Sequence, residues 1–137
     1  MSTREIFFND ILIAVVVTEM PDSPGVYFMT PHSALQQIGF QHRKAGEHVP
    51  LHAHERGPVV VNNFAEVIIV KRGKMKVALF SQAGDFIEEV FIASGGMILL
   101  ESGAHEITFI EETEIYEVKQ GPYIGRAEKR FFSPATK

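Results

Sequence analysis

Phe64-Ala65-Glu66-Val67-Ile68-Ile69-Val70-Lys71-Arg72-Gly73-Lys74-Met75-Lys76-Val77-Ala78-Leu79-Phe80 is the stretch on which the fold class turns. Phe64–Lys71 is apolar, rich in β-branched residues and of strand length. Lys74–Phe80 has the same character, and Arg72-Gly73 between them is a compact hairpin signal. One carboxylate, Glu66, interrupts the first run. Val67 and Ile69 are as apolar as Ile68 and Val70, the pattern of a strand covered on both faces. A carboxylate there needs a partner, because burying an unpaired charge is very costly. If the strand instead alternated, Glu66 would simply face solvent.

Strand signals continue in both directions. Upstream, Ile11–Thr18, Val26–Thr30, Leu35–Arg43 and Val49–His54 read as strands. They are separated by Met20–Gly25 and Lys44-Ala45-Gly46, and Pro50 suits an edge or entry position. Downstream, Phe86–Ile92 is expected to pair with Lys74–Phe80 through Gln82–Asp85. Met97–Leu100, His105–Ile110 and Glu114–Lys119 follow, punctuated by Gly95-Gly96 and Ser102-Gly103. No segment sustains a period of 3.6 residues. Short strands and tight glycine turns predict an all-β antiparallel sandwich or barrel, in one domain over residues 1–137. In the tail from Gly121 to Lys137, Phe131 and Phe132 are expected to dock on the barrel or on a second subunit.

Bulk properties exclude several partner classes. The formal charge is −4, and the densest basic cluster, Lys71, Arg72, Lys74 and Lys76, surrounds a turn. Nucleic acid is therefore not the expected partner, since phosphate neutralisation needs clustered Lys and Arg. The longest apolar run, Ile11–Val17, falls far short of the roughly 20 residues of a membrane span. The first residues lack the shape of a signal peptide. There is no cysteine, which excludes disulfides and thiolate metal sites and is compatible with a reducing compartment. A soluble, cytoplasmic protein is expected.

Four side chains form the candidate site. On a strand, His52 and His54 would project to one face, because alternate side chains do so. Two imidazoles on one face are half of a metal site, although His-x-His alone arises often by chance. Glu66 supplies a carboxylate in need of a partner. His105, opening His105–Ile110, would be the fourth ligand; a lone His there is more often structural.

Read together, these residues resemble the cupin superfamily. Its first motif is a Gly, two histidines one residue apart, a Glu and a second Gly, here Gly46, His52, His54, Glu66 and Gly73. Only the step from the second His to the Glu, with eleven intervening residues, is longer than the family's. The second motif corresponds to Gly96 through Gly103 to His105. Ser102 stands near a usual Pro, the Gly-to-His step is one residue shorter, and Phe109 occupies the family's Asn position. The resemblance spans about Leu35 to Lys119, and Ile115–Tyr123 looks like the end of small stand-alone cupins associated with polysaccharide or nucleotide-sugar genes. It implies a double-stranded β-helix, a jelly-roll barrel, around one divalent metal held by His52, His54, Glu66 and His105. It also implies a homodimer.

Three imidazoles and a carboxylate suit Fe, Mn, Ni, Co or Zn, and sequence does not choose among them. Open positions on such an ion could serve a metal-dependent isomerase or epimerase of a sugar-like or carboxylated molecule, or an oxygenase. A non-catalytic binding or sensing module and a metal-free isomerase with His52 or His105 as base are the alternatives. No catalytic residue is assigned. His32, His42 and His48, the Glu55–Pro58 loop, the Asn62-Asn63 and Glu111–Thr113 turns, and Tyr123 read as surface or turn residues.

Overall fold

The computed structural model describes residues 2–133, so the last four tail residues lie outside the described part. Ten strands and one short 3-10 turn follow one another. They are β1 (Ser2–Phe8), β2 (Ile11–Glu19), β3 (Gly25–Phe28), β4 (Gly39–His42) and β5 (Glu66–Arg72), then β6 (Lys74–Phe80), β7 (Phe86–Ala93), β8 (Met97–Leu100), β9 (Ala104–Phe109) and β10 (Glu114–Lys119). The 3-10 turn is Gly125–Glu128. The strands form a five-stranded sheet in the order β1-β2-β8-β5-β10, a three-stranded sheet β7-β6-β9 and a hairpin β3-β4. Every pairing is antiparallel. The all-β expectation holds.

Two apolar layers explain the composition of the deciding stretch. On one face of the large sheet, Ile68, Val70, Ile98 and Leu100 pack against Met75, Val77 and Leu79 of β6 and Val90 and Ile92 of β7. On the other face, Val15, Val17, Val67 and Leu99 pack under Met29 and Ile38, with Tyr27 and Phe40 of the β3–β4 hairpin beside them. A sheet buried on both faces loses the alternation of a half-exposed one, which is why β5 and β2 are apolar at successive positions. A bulge adds to this in β2. Ile6 pairs with Ala14 and Phe7 with Leu12, so Ile13 is the extra residue. Its carbonyl accepts from the backbone N–H of Glu101 at 2.9 Å, which ties the end of β8 to the bulge.

Several expectations need correction. β5 and β6 are not a hairpin: they lie in different sheets, and Gly73 is the corner between them. A Cβ on Gly73 would lie 2.5 Å from the Glu112 carbonyl oxygen, so the corner is packed and not solvated. β1 was not recognised as a strand, because only Ile6 of its seven residues is buried. Val49–His54 is not a strand either. All residues from 41 to 64 are exposed, and extended chain without a pairing partner has no ladder to hold it. No closed barrel is found among the described residues, because β9 pairs only with β6 and β10 only with β5. No described helix is long and apolar enough to cross a membrane.

At the β1–β2 turn Asn9 and Asp10 have φ of 49° and 62°, and Phe8 pairs with Ile11. This is the signature of a two-residue type I′ hairpin, whose second position favours glycine. Asp10→Gly is expected to raise stability by about 0.5 kcal/mol, read as a higher denaturant midpoint with unchanged slope. A lowered midpoint would contradict the turn assignment.

Candidate functional site

Period-two geometry carries Glu66 and His105 to one place. Glu66, Ile68 and Val70 alternate along β5, and the last two belong to the core between the sheets, so Glu66 extends that inner face to its end. On β9, His105 shares the inner face with Ile107, which packs against the same core. The two side chains meet across the sandwich with His105 Nε2 3.0 Å from Glu66 Oε1. They are 31% and 19% exposed respectively, shielded yet reachable. A ring N–H donates to the carboxylate, and this bond holds the Glu66 pKa below its usual 4.5. Burial works in the opposite direction, while His105, Lys119 and Lys129 add favourable electrostatics.

β10 completes one wall. Glu66 pairs with Lys119 and Ile68 with Glu117, so Glu117 and Lys119 join Glu66 on the inner face, two and four residues beyond core-packed Ile115. Lys119 Nζ reaches Glu128 at 2.8 Å and Glu117 at 3.3 Å. These carboxylates, Glu128 foremost, hold its ammonium well above the ordinary lysine range, against a smaller opposing effect of burial.

The tail forms the other wall, as a strap from Gly121 to Ser133. Lys119 grips its Glu128, and Arg130 Nη2 donates to the Gln82 carbonyl at 2.7 Å. The Phe132 ring lies over Gly84, where a Cβ would come within 2.9 Å of it. Phe132 thus packs on the turn between β6 and β7, whereas Phe131 stands 68% exposed. Between strap and sheets opens a cleft of about 780 Å³ lined by Glu66, His105, Glu117, Lys119 and strap residues. Its size falls within the range of small-molecule sites.

His52 and His54 are placed elsewhere. Both are exposed in the segment without secondary structure, their ring centroids 5.0 Å apart and edge to face. His52 Nδ1 lies 2.8 Å from the Pro50 carbonyl oxygen. The structure thus joins Glu66 to His105 and His52 to His54, but does not join the two pairs. Among the described residues no group of three or more His, Cys, Asp or Glu is arranged to hold a metal. The donor chemistry of the four suits a divalent transition ion, while their placement brings only two donors together. Asn62, Asn63 and Phe64, at the end of the same exposed segment, line the cleft.

Sequence reasoning missed Glu117, Lys119, Glu128 and Arg130. For Glu117 and Lys119 a signal existed: they alternate with Val118 in the phase of Ile115. Using it required knowing that β10 lies beside β5. No family model matches the chain, and neither a curated protein nor a solved structure matches it.

Proposed function

We propose that the chain is a cupin-type small-molecule protein whose working site is the cleft around Glu66 and His105. One observation carries this reading: a carboxylate and an imidazole from opposite sheets are bonded at 3.0 Å inside a cleft large enough for a ligand. Such a pair can hold a ligand hydroxyl or carbonyl. It can also pass a proton, with imidazole as the exchanging group and the carboxylate fixing its tautomer.

The same reading includes a divalent transition metal bound by Glu66 and His105 together with His52 and His54. Two features favour it. Among the described residues, β9, which carries His105, has an unpaired edge. Val49–His54 is extended-prone chain with no strand partner among the described residues. Laid along that edge, it would close the sandwich towards a jelly-roll barrel. A bound ion would supply a Lewis acid for a sugar-like or carboxylated molecule. The chain's own residues would still orient that molecule and shield it from water. Pairing of two copies as a homodimer belongs to the same proposal.

Element-resolved analysis of untagged protein, prepared without chelators, tests the metal. The expected result is close to one transition ion per chain, lost in both His52→Ala and His105→Ala while the strand-rich circular dichroism persists. Metal retained in either variant would remove that residue from the ligand set. Metal-free wild-type protein would leave the His105–Glu66 acid–base pair as the functional centre.

A further inference from the structure

The lining of the cleft discriminates between the two ligand chemistries, carboxylated and polyhydroxylated. Residues of both signs line it: Glu66, Glu106, Glu117 and Glu128, with His105, Lys119, Lys129 and Arg130. Two of those cations are already engaged. Lys119 is held between Glu128 and Glu117. Arg130 donates to the Gln82 carbonyl and lies over the Phe132 ring at 4.4 Å. A ligand carboxylate entering here would compete for Lys119 with the two carboxylates that already hold it, beside Glu66, itself bonded to His105, and like charges brought together out of water are costly.

The remaining lining is aromatic and amide. Phe64 and Phe131 are both more than half exposed and both border the cleft. The guanidinium of Arg126 sits 5.1 Å from the Phe131 ring centroid, and Arg126 is not among the cleft residues. One face of the Phe131 ring is therefore backed from outside the cleft, which orients the ring and leaves its other side for a ligand. Phe132 differs, because Arg130 and Gly84 both occupy it. Asn62, Asn63 and Gln82 add amide groups that both donate and accept. Rings for an apolar face, with carboxylates and amides for hydroxyls, make up the lining that suits an uncharged sugar ring.

We propose that this cleft binds a neutral pyranose, stacked on Phe131 of the strap, with its hydroxyls bonded by cleft carboxylates and amides. This rests on the cleft being the functional site and adds the substrate class. Phe131 is a specificity-determining residue in this scheme. Its exposure means that its removal leaves the core untouched.

Saturation-transfer NMR with a panel of methyl pyranosides (gluco, galacto, manno and 2-acetamido-gluco) and the matching uronates tests the assignment on the full chain. At least one neutral glycoside is expected to bind at millimolar concentration, and its uronate more weakly. Phe131→Ala is expected to weaken binding about tenfold, the loss of one ring's stacking face, and Phe131→Tyr to keep it. Uronates that bind as well as neutral sugars, a panel that does not bind, or an unchanged Phe131→Ala would each overturn the proposal. Metal content measured on the same samples separates this from the functional reading. Metal lost only in the histidine variants, with no sugar bound, sinks the substrate class alone. Sugar bound by a metal-free wild type sinks the metal and leaves the substrate class standing.

Discussion

Gly73→Ala is expected to destabilise the protein by about 3 kcal/mol, a fall in Tm of roughly 10 °C for a chain of this size. Two costs combine. Gly73 has φ of 92°, where an L side chain is strained whatever the space around it. The added Cβ would also lie 2.5 Å from the Glu112 carbonyl oxygen and 2.8 Å from Thr113 Cα, and backbone cannot swing aside as a flexible side chain can. Thr113 is fixed in turn, since its hydroxyl accepts from the Lys74 N–H at 3.2 Å. The substitution therefore strikes the point where the chain leaves one sheet for the other. Gly73→Asn distinguishes a corner from a hairpin turn. In a solvated hairpin, Asn tolerates positive φ and would be nearly neutral. At this corner the clash remains, so Asn is expected to be at least as damaging as Ala. A mild Gly73→Asn would mean that β5 and β6 are joined by an open turn after all.

That contrast shows what local sequence carries and what it does not. Met97–Leu100 and Glu114–Lys119 are strands with the bounds read from sequence, because the residues of each strand set its ends. Pairing is another matter. β5 and β6 are successive and separated by a turn residue, yet a sandwich sends them to opposite layers, and nothing within Arg72-Gly73-Lys74 encodes that choice. β1 is legible only after β2 has been placed, since its single buried side chain, Ile6, faces a core assembled from distant strands. Val49–His54 is the reverse case: its composition favours a strand, but among the described residues no neighbour pairs with it.

The site divides in the same way. Glu66 was readable because a carboxylate inside an apolar run has to be reconciled with its surroundings. His105 gained its weight from long-range company, which the structure provides as Glu66. The joining of His52 and His54 to that pair depends on a strand pairing that the described structure does not contain. The strap residues Glu128 and Arg130 carried no local signal, because their roles arise from Lys119 and Gln82.

Replacing His105 alone and replacing both members of its pair are expected to have opposite effects. In His105→Leu, the Glu66 carboxylate loses the donor that stabilises its ionised form while remaining largely shielded from water. An under-satisfied group of this kind costs about 1–3 kcal/mol. In Glu66→Leu/His105→Leu, two apolar side chains would extend the layer that already holds Ile68 and Ile107. Exchanging both members of a hydrogen-bonded polar pair for packed apolar groups is frequently neutral or stabilising. The double variant should therefore match or exceed the wild type in stability, and the cycle should be non-additive by a few kcal/mol. The pH dependence supplies an independent check with a fixed sign. Glu66 titrates lower in the folded protein than the usual 4.5, so its stabilising contribution is complete above that value. It is lost as the pH falls through the depressed folded value. Wild type should thus lose stability relative to the double variant as the pH falls below about 4.5. If the double variant were instead as damaged as the sum of its single changes, Glu66 and His105 would be part of the framework. A framework pair gives no reason to look for a ligand, whereas a pair that the fold can do without directs the search to the cleft it faces.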